Sequence, residues 1–259
     1  TGGEISLDVH EVRDLNHKDL RELRRSKVAM VFQHFGLFPH RNVIENISYG
    51  LEVRGVGKLD RTKRANEILD LVGLAGWGER FPRELSGGMQ QRVGLARAMA
   101  TDPEILFFDE PFSALDPLIR REMQDELLGL QDTLKKTLVF ITHDFLEAIK
   151  MGDQIAIMKD GEIVQIGTPE EIVANPIDDY VRDFTEDVPR YKVLSVGKVM
   201  RPASNDLDPA HSVKASAKID SIIAQAAETD KPFAVVDSAG VIVGEIDRST
   251  ILKAMNVHG

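Results

Sequence analysis

Cysteine is absent from the 259 residues, which excludes disulfides and thiolate metal centres. An excess of basic charge is missing too. Lys and Arg number 32 against 42 Asp and Glu, a net charge of −10. A uniformly cationic surface that would neutralise nucleic-acid phosphates is therefore unavailable, and no nucleic-acid partner is expected. No apolar run reaches the ~20 residues that a spanning helix needs. The first residues lack the basic-then-apolar pattern of a signal peptide. The expectation is a soluble, cytoplasmic chain, and a start at Thr1 rather than methionine reads as a fragment. Repeats and low-complexity segments are lacking as well. What remains is 42% hydrophobic and 29% charged, an ordinary globular composition of one to two domains.

Short apolar runs alternate with helix-period segments over the first two-thirds. Lys27–Phe32, Ile105–Phe108, Thr137–Ile141 and Gln154–Met158 read as buried strands, apolar on both faces, as suits a sheet covered by helices on each side. Ala65, Ile68, Leu69 and Val72 follow a helical period, and Ile119, Met123, Leu127 and Leu130 form a second stripe. Strands alternating with helices indicate an α/β domain with a largely parallel sheet. The composition shifts near residues 187–198. From Val193 onward there are 7 basic and 8 acidic residues, close to neutral, whereas the preceding part is strongly acidic. The tail reads as helix (Ile219 to Ala226), strand (Phe233–Asp237), a Gly240-containing turn, strand (Val241–Ile246) and a short helix (Ser249–Met255). It is expected to be a small, separate α+β module.

Three predicted strands each run into polar groups: Gln33, the pair Asp109-Glu110, and His143. In open parallel sheets ligands bind beyond the carboxyl ends of the strands. An amide, two carboxylates and an imidazole converging there suit metal-assisted phosphoryl transfer. Leu85-Ser-Gly-Gly-Met-Gln-Gln-Arg92 adds a helix start, capped by Ser86, whose Gly87 and Gly88 leave free N–H groups for an anion.

With these residues in place, the chain resembles the ATP-binding-cassette (ABC) transporter ATPases over about residues 1–185. Leu85–Gln90 looks like their signature, Ile105–Glu110 like the Walker B strand with its catalytic glutamate, and Ser113-Ala-Leu-Asp116 like the D-loop. His143 matches the switch histidine and Gln33 the Q-loop glutamine. The resemblance implies that Glu110 and His143 are catalytic and that Gln33 and Asp109 serve the metal. It also implies that Gln33, Ser86, Gly87, Gly88, Gln90 and Asp116 contact the nucleotide. ATP and Mg²⁺ are the implied cofactors. A second ATPase subunit in a homodimer and transmembrane permease subunits are the implied partners, with a substrate-binding protein engaged indirectly. The place of action would be the cytoplasmic face of the membrane, peripherally bound. Phe35-Gly-Leu-Phe-Pro39 would lie toward the permease, although core packing of the two rings is an equal reading.

Gly-x-x-x-x-Gly-Lys-[Ser/Thr] occurs nowhere in the chain; Gly55-Val-Gly-Lys58 is followed by Leu59 and reads as a surface turn. The expected fold is therefore a P-loop NTPase-type ABC core at 1–187, without its first strands and P-loop, and with a helical subdomain at about 40–100. The tail, 193–259, resembles one cystathionine-β-synthase-type (CBS) motif, with Thr250 where a ribose-binding aspartate is usual. Such an extension, together with Leu23–Pro39, resembles the importers of glycine betaine, proline and related quaternary amines. The chain alone is expected to be inactive. A non-catalytic regulatory remnant and a non-transport ABC ATPase are the alternatives.

Overall fold

The computed structural model describes residues 3–7, 10–33, 35–204 and 207–255; the initial Thr1-Gly2 lies outside them. The chain forms two compact units, 1–143 and 144–259. The boundary expected at 187–193 falls inside the second unit.

In the first unit, β1 (Ser6–Leu7) and β2 (His10–Glu11) make a short hairpin, followed by α1 (His17–Ser26) and β3 (Val28–Val31). Then come α2 (Val43–Val53), α3 (Lys58–Leu71) and α4 (Gly87–Ala100). β4 (Ile105–Asp109), α5 (Pro117–Leu134) and β5 (Thr137–Ile141) complete it. β3, β4 and β5 form a parallel sheet in that order, with Val31 opposite Phe108 and Phe108 opposite Phe140. Two of the three strands begin or end within a residue or two of their sequence-based limits, and β5 matches its limits.

Helices α2, α3 and α4 occupy the segment expected to form a helical subdomain. Asn42 and Glu45 form a reciprocal capping box at the start of α2. The α3 stripe is buried as its period requires, with Ala65, Ile68, Leu69 and Val72 at most 5% exposed. Gly55 takes φ +81° in the turn before α3, and Lys58 opens that helix, so this stretch is a turn as expected.

The sequence pattern predicts strands apolar on both faces and covered on each side, yet among the described residues the two faces of the sheet differ in burial. Met30, Phe32, Val139 and Ile141 are exposed, while Val31, Leu106 and Phe108 are buried.

The second unit begins with α6 (Phe145–Met151) and the strands β6 (Ile155–Lys159) and β7 (Glu162–Gly167). β6 corrects the sequence reading: it pairs antiparallel with β7, not within the parallel sheet. Asp160 and Gly161, at φ +51° and +85°, supply the two positive-φ residues of a tight hairpin whose twist suits the strands. That Asp-Gly signal stands in the sequence and outweighs the apolar run. α7 (Pro169–Ala174), α8 (Asp179–Thr185), α9 (Arg190–Val193) and α10 (Val196–Val199) lead to a second three-stranded sheet. There β8 (Ser212–Lys214) lies parallel to β9 (Phe233–Val236), which pairs antiparallel with β10 (Ile242–Ile246).

Between β8 and β9, a 3₁₀ turn at Ile219–Ile222 leads into α11 (Ile223–Ala227), and α12 (Arg248–Met255) ends the described chain. The strand–turn–strand–helix order matches the tail reading, whereas β8 was not foreseen. The core of this region joins Val193, Val196, Ile219, Phe233, Val235, Ile246 and Ile251 to Val173 and Val188. The tail thus shares its apolar interior with the helices that precede it.

Candidate functional site

Parallel register brings the ends of β3, β4 and β5 to one edge of the first sheet. Beneath that edge Phe108 stacks on Phe140, with ring centroids 4.4 Å apart and planes 6° apart, and Phe112 packs against Phe140 at 5.9 Å. This aromatic layer gives the strand ends a rigid, apolar footing. Glu110 follows β4 with φ +44°, a conformation that costs a non-glycine residue free energy and tends to be kept where function needs it. Its N–H donates to the Ile141 carbonyl at 2.9 Å, which ties the turn after β4 to the end of β5.

The Glu110 carboxylate is the hub of the edge. Gln33 Nε2 donates to Glu110 Oε2 at 3.2 Å and lies 3.1 Å from Ser113 Oγ. His143 Nδ1 lies 3.2 Å from the same Oε2. Ser113 Oγ donates in turn to the Glu110 carbonyl at 3.0 Å. The imidazole is largely open to solvent, at 72% side-chain exposure, against 32% for Glu110. Gln33, Glu110 and His143 therefore come together as expected, and half-buried Asp109 sits beside them at the end of β4. Among the described residues no cluster of three or more His, Asp and Glu could hold a metal ion by itself.

The glycine-rich helix start lies elsewhere in the same unit. Ser86 Oγ accepts from Met89 N–H at 3.3 Å, so it caps α4 as its type predicts. A Cβ at Gly88 would lie 3.0 Å from Ile119 Cγ2, a tight contact that the Ile119 side chain would have to relieve. Gly87 packs near Leu115, which sets the start of α4 against the start of α5. Gln90 donates its amide to the Pro82 and Leu85 carbonyls at 3.1 and 3.2 Å. Asp116 caps α5 by accepting from Leu118 and Ile119 N–H, both at 3.1 Å. Both side chains thus hold local backbone in this structure, and no hydrogen bond joins Ser86 or Gln90 to the Glu110 cluster.

Three contributors escaped the sequence reading. Ser113 was seen only as part of a motif. Arg97, on α4, reaches back to the loop after Gln33 and donates to the Phe35 and Gly36 carbonyls at 3.0 and 2.5 Å. Burial lowers its pKa. Phe35 and Gly36 both take positive φ, +59° and +56°, so this loop needs an external clamp. Asn46, fully buried in α2, is the third: it accepts from Phe38 N–H at 2.7 Å and donates to the Phe38, Arg41 and Asn42 carbonyls. Phe38 itself is half-buried, 4.6 Å from the Tyr49 ring and beneath Arg41 and Arg97. Arginine at an α4 position that a helical period leaves unremarkable carries no local signal of such a reach.

Comparison with known proteins places these motifs in context. Residues 1–113 match the family model described as ABC transporter. A trimethylamine N-oxide transport system ATP-binding protein, TmoW of Pelagibacter ubique, is 50% identical over 255 residues, 98% of this chain and 75% of that protein. The glycine betaine/proline betaine transport system ATP-binding protein ProV of Escherichia coli is 50% identical over 207 residues, 80% of this chain and 52% of ProV. Among solved structures, a dimeric post-hydrolysis state of the ATP-binding cassette MJ0796 with ADP and Pi is 35% identical. It superimposes with a TM-score of 0.57 over 65% of this chain and 74% of that one.

Proposed function

The chain belongs to the ATP-binding subunits of ABC transporters, and from that premise we propose that it energises import of glycine betaine, proline or related quaternary-amine osmolytes. The solutes named for its relatives support the substrate class, since trimethylamine N-oxide and the betaines share a nitrogen carrying four substituents. The reaction is ATP + H₂O → ADP + phosphate.

The observation that carries the catalytic reading is the Glu110 carboxylate, met by Gln33 and His143 at one sheet edge. Glu110 accepts a proton from the attacking water. His143, exposed beside it, contacts the terminal phosphate. Asp109 and Gln33 offer hard oxygen donors that suit Mg²⁺, an ion that binds one or two protein oxygens and completes its shell with phosphate and water. When bound, the dication supplies charge neutralisation to the transferring phosphoryl group. The bare backbone at Gly87 and Gly88 presents a helix N-terminus to phosphate held by a second copy of the subunit. Gln90 and Asp116 belong to the same nucleotide contact and shape it through the backbone that they hold.

The partners in this reading are a second ATPase subunit and membrane permease subunits approached by the loop at 35–39. A substrate-binding protein acts only through the permease, and no nucleic acid is involved. Among the described residues no helix is long and apolar enough to cross a membrane; the place of action in this reading is the cytoplasmic face, with peripheral attachment. Residues 1–187 are the ABC ATPase domain, and 193–259 are a CBS-like module that modulates transport.

These 259 residues contain no Gly-x-x-x-x-Gly-Lys-[Ser/Thr] loop, so by themselves they neither hold ATP tightly nor hydrolyse it. Thermal unfolding with and without Mg-ATP tests this point: unchanged melting is expected, and a clear upward shift overturns it. Uptake of radiolabelled glycine betaine, proline, choline and trimethylamine N-oxide by cells that depend on the gene encoding this chain tests the transport role. Uptake of none of them would refute it.

A further inference from the structure

Gln33 meets Glu110 through its nitrogen, and Ser113 adds a second acceptor that fixes the amide in that orientation. A glutamine side chain has a donor end and an acceptor end, nearly identical in shape, and its neighbours decide which faces where. The hydroxyl of Ser113 has one proton. That proton is committed to the Glu110 carbonyl, 3.0 Å away, which leaves Ser113 Oγ only lone pairs to offer. Gln33 lies 3.1 Å from that oxygen and 3.2 Å from Glu110 Oε2. Both neighbours are acceptors, so both demand the NH₂ end of the amide. The carbonyl end, Oε1, is the one turned away from them, and no donor meets it among the described residues.

We propose that Ser113 is a positioning residue that sets the orientation of the Gln33 amide, keeping NH₂ on Glu110 and leaving Oε1 as the oxygen presented to a cation or a water. This rests on the reading above that Gln33 contacts metal and water. Glu110 alone gives the amide a single acceptor and a free rotation about that bond. Ser113 adds a second acceptor on the same nitrogen, and two fixed acceptors define a plane. The device is economical in chain terms: the residue that orients Gln33 sits three positions after the base, and its own N–H also donates to the Glu110 carbonyl at 3.3 Å. The strained turn at Glu110 and the Gln33 amide are thereby held by one side chain.

Side-chain amide NMR of the full chain, labelled with ¹⁵N at glutamine, reads this directly without nucleotide or turnover. In the parent protein the two Gln33 amide protons should be well separated in shift and slow to exchange. Ser113→Ala should bring them toward free-glutamine values and speed exchange about five-fold, the ratio that one ordinary hydrogen bond makes. Ser113→Thr, which keeps a hydroxyl at the same place, should restore the parent pattern. Backbone spectra identify variants that remain folded, and the Thr variant keeps the test decisive if the Ala variant does not fold. Parent-like Gln33 signals in folded Ser113→Ala, or no recovery in folded Ser113→Thr, would overturn the proposal. Mn²⁺ added to the parent chain separates the two readings. Selective broadening at Gln33 supports an oxygen presented to a cation, whereas its absence alongside a Ser113-dependent amide counts against the metal role of Gln33 and leaves the positioning role standing.

Discussion

The two three-stranded sheets use their polar residues in opposite ways. In β3-β4-β5 the polar groups collect beyond the strand ends: Gln33 and His143 meet the Glu110 carboxylate, and Ser113 accepts from Gln33 and donates to the Glu110 carbonyl. In β8-β9-β10 they tie the chain to itself. Asp247 caps α12 by accepting from Thr250 N–H at 2.7 Å and pairs with Arg201. Glu245 accepts from the N–H and hydroxyl of Ser204 at 3.2 and 2.6 Å. The Thr250 N–H is engaged by that cap. Groups locked into caps and pairs have little left to offer a ligand, whereas a carboxylate with an exposed imidazole beside it has an open side. The polar groups of the first sheet are left open on one side, and those of the second are spent on holding the chain together.

The sharpest way to break this contrast is at its chemical end. In a subunit that carries a Gly-x-x-x-x-Gly-Lys-[Ser/Thr] loop ahead of these residues, Glu110→Gln should lower phosphate release by at least about 100-fold, the usual contribution of a positioned base, with little change in melting temperature. Near-normal release would remove Glu110 from the mechanism. At the architectural end the strongest change is Gly244→Ala. A Cβ there would lie 2.7 Å from both the Arg201 carbonyl and Met200 Sδ. Overpacking of this kind should cost about 1–3 kcal/mol in urea unfolding. Gly240→Ala is the control for space, since nothing lies within 4 Å of its Cβ position, although its φ of +82° strains any side chain. Gly244 itself has no positive φ, so a cost within about 0.5 kcal/mol for Gly244→Ala would show that the approach of Arg201 and Met200 is readily relieved.

Arg97→Ala sits between the two regimes, because it removes a structural bond that shapes the chemical edge. Loss of its hydrogen bonds to the Phe35 and Gly36 carbonyls should cost about 1–3 kcal/mol and loosen the loop after Gln33. Unaltered hydrogen exchange across 35–40 would contradict the clamp. The smallest effect is expected for Asp247→Asn. Burial pushes the Asp247 carboxyl up, but hydrogen bonds from Thr250 and the pairing with Arg201 outweigh it and hold it below the ordinary aspartate range. A lowered carboxyl contributes stability at neutral pH, and that contribution disappears as pH falls from about 4 through the folded value. Asn still caps a helix, so at neutral pH the variant should lose less than about 1 kcal/mol, and less again at high salt, which screens the exposed pair. A pH–stability curve below pH 4 no flatter than the parent's would rule out Asp247 as a titrating contributor.

Much of the first unit was legible in the sequence. β4 and β5 are runs of apolar, β-forming residues bounded by polar ones, and the α3 and α5 stripes recur at the helical period. The tail hairpin carried its turn glycine, Gly240, at φ +82°. β6 was read in the wrong sheet because its apolar residues were counted and the Asp160-Gly161 hairpin that follows was not. β8 is three residues long, with only Val213 buried, too short for any period to register. Gln90 and Asp116 read as nucleotide contacts from the motif, yet the backbone groups that they hold could be located only in the folded turn.

Sequence alone determined which chemical groups follow which strands, because each lies within a residue or two of an apolar run that could only be a strand. It also determined that the start of α4 carries bare backbone, since Ser-Gly-Gly admits no side chain beyond the cap. The tertiary structure decided which groups meet. Gln33 and Glu110 are 77 residues apart, and Gln33 and Ser113 are 80 apart. Their contact depends on the parallel register that aligns Val31 with Phe108 and Phe108 with Phe140. A shift of that register by one residue would turn every side chain to the opposite face, and no local pattern records it. The orientation of an amide, the reach of Arg97 and the pairing of β6 with β7 are consequences of packing between distant segments, where the energy of an element depends on its neighbours more than on its own residues.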